Sequence, residues 1–308
     1  MKRNAWVMFW LLGLIWGSSF MLIRIGVHEF KPAEVVFIRT AIAAVGLGAV
    51  ILVRRIRIPT DWHTLRGLGI IGLGNVVAPF MLITWSEQFI TSGLAAVLQA
   101  SAALFTLIVA HFVFADERIT PQKIAGLITG FIGVLVLFGG EMNGENSLAG
   151  MAGMVAASFC YATFTTYSRK IIQGNIPPVM IAGSSMVVAA VVTAPLALFS
   201  PEGFTPLATV SSQAIISMVV LGLLNTFIAY LFFYFIVSEL GAARASMVTY
   251  IVPVVGVVLG AVFLQEVVGL PLVIGGGLIF AGIGIVNLRW RLPSRFVQGR
   301  PAEQGIKP

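Results

Sequence analysis

Charge is scarce in this sequence. Of its 308 residues, 10% are Asp, Glu, Lys or Arg, while 58% are hydrophobic. A soluble domain carries about 25% charged residues. A water-soluble fold of this composition would lack a surface, so the chain reads as an integral membrane protein. Cysteine is scarcer still. Cys160 stands alone, which excludes an internal disulfide and leaves no Cys–His metal-ligand spacing. HExxH, GxSxG and paired intramembrane aspartates are all missing, so the usual intramembrane hydrolase chemistries are out of reach. We therefore expect no enzyme, no cofactor and no metal. Long polar segments are missing too, which removes any soluble signalling domain, and no filter sequence or charged pore ring suggests a channel. The net charge of +7 does not indicate nucleic acid, because the basic residues sit in short loops between apolar runs.

Acidic residues are absent from the middle of every apolar run. The twelve are Glu29, Glu34, Asp61, Glu87, Asp116, Glu117, Glu141, Glu145, Glu202, Glu239, Glu266 and Glu303, all in loops or at run ends. A proton/cation antiporter commonly keeps a carboxylate at mid-membrane to trade a proton for its cargo. Its absence favours facilitated diffusion, or coupling through a less obvious group.

Ten runs are long and apolar enough to span a membrane: roughly 7–27, 33–53, 67–85, 94–114, 124–140, 150–168, 180–199, 214–237, 246–264 and 271–288. Each should be helical, because lipid offers no partner to an unpaired backbone group. The first run is too long for a signal peptide, and Arg24 and Glu29 stand where small cleavage-site residues belong, so it reads as an uncleaved span. With the N-terminus in the cytoplasm, sixteen of the nineteen lysines and arginines fall on the cytoplasmic side. The opposite side keeps only Lys31, with Arg24 and Arg39 in or at the ends of spans. Both termini are expected in the cytoplasm.

The two halves echo each other. At an offset of 149, Glu117 falls on Glu266, Gly126 on Gly275 and Gly133 on Gly282. Nearer the starts of the halves the offset is 145, which pairs Trp16 with Tyr161, Arg24 with Arg169 and Pro32 with Pro177. Five spans per half is an odd number, so the second half enters the membrane upside down. Inverted repeats of this kind are a common plan of secondary transporters. The expected fold is all-α: ten transmembrane helices in two inverted five-helix repeats, 7–140 and 150–288, around a central cavity, with 289–308 a basic cytoplasmic tail. The glycine-rich tenth run, "GGGLIFAGIG", packs either within the chain or against a second copy, so monomer and homodimer both stay open.

Four stretches in this order resemble the EamA-type transporters of the drug/metabolite transporter superfamily: "WGSSF", "FIRTAIAA", "SGLAAVLQASAALFTLIVAHFVFADE" and "GAARASMVTYIVPVVGVVLGAVFLQE". The resemblance covers about 7–288. It implies export or import of a small metabolite such as an amino acid; the compact loops and missing targeting segments place the chain in a bacterial inner membrane. The alternative is a proton-coupled multidrug exporter of cationic compounds. Leu104 stands where the first repeat of the family often has the proline that Pro253 supplies in the second, so span four is expected to be straighter than span nine.

Candidate substrate contacts are the polar and aromatic residues inside spans. Trp16, Ser18 and Ser19 lie near the middle of span one, where an indole can stack on a solute and hydroxyls can bond it. Arg24 and Arg39 form a basic pair at the outer mouth, able to attract carboxylates, to pair with Glu29 or Glu34, or to cap helix-end carbonyls. Asn75 lies one turn from Pro79, and Asn225 sits within a residue of its repeat equivalent, a matched pair that hints at a central polar site. Gln99, expected near the outer start of span four, Tyr161 and Tyr250 complete the set. His111, the candidate proton-coupling group, is the side-chain type most often used as a proton switch, but it sits one turn from a span end. Each of these is otherwise interhelical glue, worth about 0.6 kcal/mol.

Overall fold

A computed structural model describes residues 2–114, 118–140, 146–171 and 176–287. The tail expected over 289–308 and the aligned Glu117 lie outside them. Ten membrane-length helices are present among the described residues: α1 (Arg3–Val27), α2 (Pro32–Val53), α3 (Trp62–Ser86), α4 (Ser92–Val113), α5 (Pro121–Gly140), α6 (Leu148–Ser168), α7 (Pro178–Leu198), α8 (Ser212–Leu240), α9 (Arg244–Phe263) and α10 (Leu270–Asn287). All ten coincide with the runs expected from sequence. Their starts carry recognisable signals. Proline opens α2 and α7, where its missing N–H costs nothing. Asp61, Thr91 and Ser211 cap α3, α4 and α8 by accepting from the amides of Thr64, Leu94 and Ala214.

The ten helices form two inverted five-helix repeats, and the packing of the two fifth helices expresses the symmetry directly. A Cβ on Gly126 would lie 2.6 Å from the Gly282 carbonyl oxygen, and one on Gly133 would lie 2.5 Å from that of Gly275. Since Gly126 corresponds to Gly275 and Gly133 to Gly282, each contact is the image of the other. Antiparallel α5 and α10 thus cross on the pseudo-two-fold axis, backbone against backbone, as only glycine allows. These glycines of the tenth helix are consumed within the chain. The second helices pack together as well, with Leu47 and Ala43 of α2 buried against Ala182 and Met186 of α7.

Interruptions of the helices are also matched. Leu73–Val77 of α3 and Leu223–Ile228 of α8 are π-helical, a geometry that frequents functional sites. Pro79 follows the first bulge, yet the second forms with no proline after it. There Thr226 bonds the Leu221 carbonyl five residues back, at 2.8 Å. The fourth helices break too: α4 at Ala100–Ser101, and α9 as a 3₁₀ turn over Met247–Tyr250. Hydroxyls bond the carbonyl three residues back at both places, Ser101 to Leu98 at 2.7 Å and Thr249 to Ser246 at 2.8 Å. The expectation that Leu104 leaves span four straighter is therefore corrected. Hydroxyl back-bonding interrupts α4 three residues before that position, without a proline.

Candidate functional site

Two asparagines organise the centre. Each sits in a π-bulge, where the helix widens and its side chain is turned toward the other repeat. Asn75 of α3 accepts a 3.1 Å bond from the Thr165 hydroxyl of α6. Asn225 of α8 donates to Ser18 at 2.9 Å, to Ser19 at 3.1 Å and to the Ile15 carbonyl, all in α1. First and sixth helices are repeat equivalents, so both asparagines make the same cross-repeat contact. The donor half of Asn225 is thus spent, but its Oδ1 is buried without a hydrogen-bond partner among the described residues. So are the Oε1 of Gln99 and the hydroxyl of Thr163. A buried acceptor without a donor costs about 1–3 kcal/mol, a cost that a bound solute relieves.

Beside Asn225 lies the one charge of the centre. Arg39 is 8% exposed. It stands seven residues into α2, about 10 Å along the axis, deeper than the outer mouth at which the sequence placed it. Its Nε donates to the Thr226 hydroxyl at 2.9 Å, and its guanidinium carbon sits 3.9 Å from the Phe80 ring centroid. The Tyr161 and Tyr230 hydroxyls are within electrostatic range. Among the described residues no carboxylate lies within ion-pair distance of it. Among the described residues, Arg39 forms no ion pair with Glu29 or Glu34, a pairing the sequence left open. Glu29 accepts from the Ser211 amide and hydroxyl at 2.6 and 2.5 Å, and these bonds hold its carboxyl below the usual carboxylate range. Glu34, fully buried, accepts from the amide and hydroxyl of Thr205 at 2.9 and 2.7 Å.

Aromatic rings close the group. Trp16 lies edge-on to Tyr230, with centroids 6.5 Å apart, and 5.5 Å from Phe233. Tyr230 stands 6.0 Å from Tyr234. Trp16, Ser18, Ser19, Arg39, Tyr161 and Asn225 are thereby drawn into one network with Phe80, Thr226 and Tyr230. Asn75 joins through Thr165 on the Tyr161 helix. Gln99 is the last residue before the α4 break, not near the outer start expected, because α4 begins at Ser92; Ser158 of α6 bonds the Leu98 carbonyl beside it at 3.2 Å. Two candidates lie elsewhere. Tyr250 accepts from Asn287 at 3.1 Å and lines a cleft of about 130 Å³ with Phe280, Ile283 and Gly284. His111 accepts the Ile119 amide at its Nδ1, 3.3 Å away, and has no contact with the Arg39 group among the described residues.

The sequence reading missed Thr226, Phe80 and Glu87. Thr226 and Phe80 adjoin the singled-out Asn225 and Pro79. Glu87 gave no signal. It follows the last residue of α3, as expected of a run-end carboxylate, yet it is 0% exposed.

Ten spanning helices in inverted repeats, meeting at a polar centre that holds a buried arginine, have the architecture of a secondary transporter. The EamA-like transporter family model matches the chain twice, over residues 4–139 and 148–288, and the chain belongs to that family. It is 31% identical to an "Uncharacterized transporter" of Archaeoglobus fulgidus, over 92% of this chain and 98% of that protein. It is 27% identical to a "Probable amino-acid metabolite efflux pump" of Salmonella typhimurium, over 96% of this chain and 99% of the relative. A solved crystal structure shares the fold with a TM-score of 0.66 at 20% identity, covering 95% of this chain and 100% of that one.

Proposed function

We propose that this protein exports amino acids or closely related carboxylate metabolites across a bacterial inner membrane by alternating access, with both termini in the cytoplasm. Arg39 carries the reading. A buried guanidinium with no carboxylate at ion-pair distance is costly, and a substrate carboxylate meets it through two parallel bonds. Trp16 and Tyr230 offer faces to the substrate side chain, and Asn225 Oδ1 an acceptor for its ammonium group. Gln99 and Asn75 of the first repeat and Thr163 of the second add polar groups to the same centre. The two repeats, 7–140 and 150–288, rock about this point. The same cation argues against cationic drugs, which Arg39 would repel. The name of the Salmonella relative, an amino-acid metabolite efflux pump, agrees with an amino-acid cargo.

The test is uptake of labelled amino acids into liposomes carrying the purified protein, with Arg39→Lys and Arg39→Gln beside the wild type. Saturable uptake, reduced in Arg39→Lys and abolished in Arg39→Gln, is the expected result. Undiminished uptake by Arg39→Gln removes Arg39 from the site. Preferential transport of organic cations overturns the substrate class.

A further inference from the structure

We propose that Glu87 is a proton-binding site of the transport cycle: it holds a proton while its end of the bundle is closed and releases it to water when that end opens. The inference rests on the transporter reading above. Three observations carry it. Glu87 is 0% exposed, and neither carboxylate oxygen has a hydrogen-bond partner among the described residues. A buried ionised carboxylate without donors is far costlier than the neutral acid. The three other carboxylates bonded near this end, Glu29, Glu34 and Glu266, behave differently: Glu29 is held by the Ser211 amide and hydroxyl. Glu34 spends its oxygens on Thr205, and Glu266 accepts from the Ser92 amide at 2.7 Å, the Gly93 amide at 2.9 Å and the Ser92 hydroxyl at 3.0 Å. Their bonds staple one repeat to the other. Glu87 staples nothing, so its carboxyl has no structural use that the closed form accounts for.

Its surroundings are built for a proton. Glu266, in the connection between α9 and α10, faces it with a like charge; Arg24 of α1 and Arg39 of α2 face it with opposite charge. Burial first, and Glu266 next, push the Glu87 carboxyl well above the usual range, with the two arginines pulling the other way. Arg24 donates through Nη1 to the main-chain carbonyl of Glu87 itself. When this end opens, water solvates the carboxyl, its proton leaves to that water, and Arg24 is at hand to offset the charge left behind. Arg39 also senses both Glu87 and the substrate site, which links loss of the proton to the charge of the cargo.

The test needs no substrate in its first arm. Infrared difference spectra of the full-length protein in lipid are recorded across a pH titration. The wild type should show a protonated-carboxyl band that titrates above the usual glutamate range, absent from the isosteric Glu87→Gln and kept in Glu87→Asp. Glu266→Gln should move the midpoint of that band downward, a shift that a merely structural role would not produce. A band unchanged in Glu87→Gln overturns the proposal. In the second arm, liposome uptake is driven by a pH gradient. Glu87→Gln should lose the stimulation that the gradient gives the wild type; retained stimulation overturns the coupling. If no amino acid moves while the Glu87 band titrates as stated, the substrate reading fails and the proton site stands.

Discussion

Replacing Arg39 with methionine should separate binding from stability. Methionine keeps length and removes charge. The folded protein then loses one bond, Arg39 Nε to Thr226 at 2.9 Å, and one cation–π contact with Phe80. A hydrogen bond to a charged group contributes about 1.5–3 kcal/mol and the cation–π contact about 2 kcal/mol when desolvated. Against this stands the cost of burying a charge with no carboxylate beside it, several kcal/mol. These terms offset, so the melting temperature in detergent should be unchanged or higher. Substrate affinity should move the other way. Losing a charge-assisted carboxylate contact costs about 2–3 kcal/mol, about 30- to 150-fold in Kd. The assay is a cycle of two proteins and two ligands: wild type and Arg39→Met, each with an amino acid and its uncharged amide. The wild type should favour the acid by about that factor, and Arg39→Met should bind both ligands about equally. Equal preference for the acid in both proteins would refute the role of Arg39, and so would a large loss of stability in Arg39→Met.

Other outcomes follow from named contacts. Gly282→Val should destabilise by about 1–3 kcal/mol or more, because even a Cβ meets the Gly126 carbonyl oxygen at 2.5 Å; thermal unfolding in lipid measures it, and Gly277→Ala, with open space around its Cβ, serves as the neutral control. Asn225→Leu removes three donations to α1 and should lower both stability and transport, whereas Asn75→Leu, which breaks one exposed bond, should lower transport more than stability. The Glu29–Ser211 tie has a pH window. Its carboxyl is held below the usual range, so the stability it contributes is full above the ordinary glutamate value and is lost as pH falls through the lowered one. Amide exchange at Ser211 and Ala214 should quicken below that point in the wild type and at all pH values in Glu29→Gln.

The fold was legible because two independent signals overlapped. Hydrophobic runs located ten spans, and glycine and aromatic landmarks at offsets of 149 and 145 related the halves. Lipid then leaves little freedom: a run of that length is helical or it is not a span. The centre was half legible. Asn75 and Asn225 stood out as amides in apolar runs at matched places, and both lie where the bulges turn inward. Depth was harder. Gln99 was misplaced because the start of α4 depends on the Thr91 cap rather than on hydropathy. Leu104 misled because a missing proline was taken to mean a straight helix, while hydroxyls at Ser101 and Thr249 interrupt both fourth helices alike. Burial of polar run-end residues was not legible at all. Glu87 and Glu34 sit at the ends of runs, where hydropathy expects water, and only the packing of other helices over them removes it.

Symmetry and asymmetry carry different parts of the function. What the repeats share is mechanical: the glycine crossing of α5 and α10, the π-bulges of α3 and α8, the broken α4 and α9, and the asparagine contacts across the interface. A pair of near-equal halves joined this way has two near-equal arrangements, which alternating access requires. What they do not share is charge. At the offset of 145 that relates Pro32 to Pro177, the counterpart of Arg39 is Ser184, and at the offset of 150 that relates Asn75 to Asn225, the counterpart of Glu87 is Val237. Both chemical groups therefore belong to one repeat, and a motion that exchanges the roles of the halves does not exchange theirs. In the proposed cycle, Arg39 stays with the substrate in both arrangements, and Glu87 remains at one end, closed off in one and open to water in the other. A direction-neutral scaffold acquires a preferred direction only through such an unshared group, and the polarity of this transporter is to be sought at Glu87 rather than in the rocking of its halves.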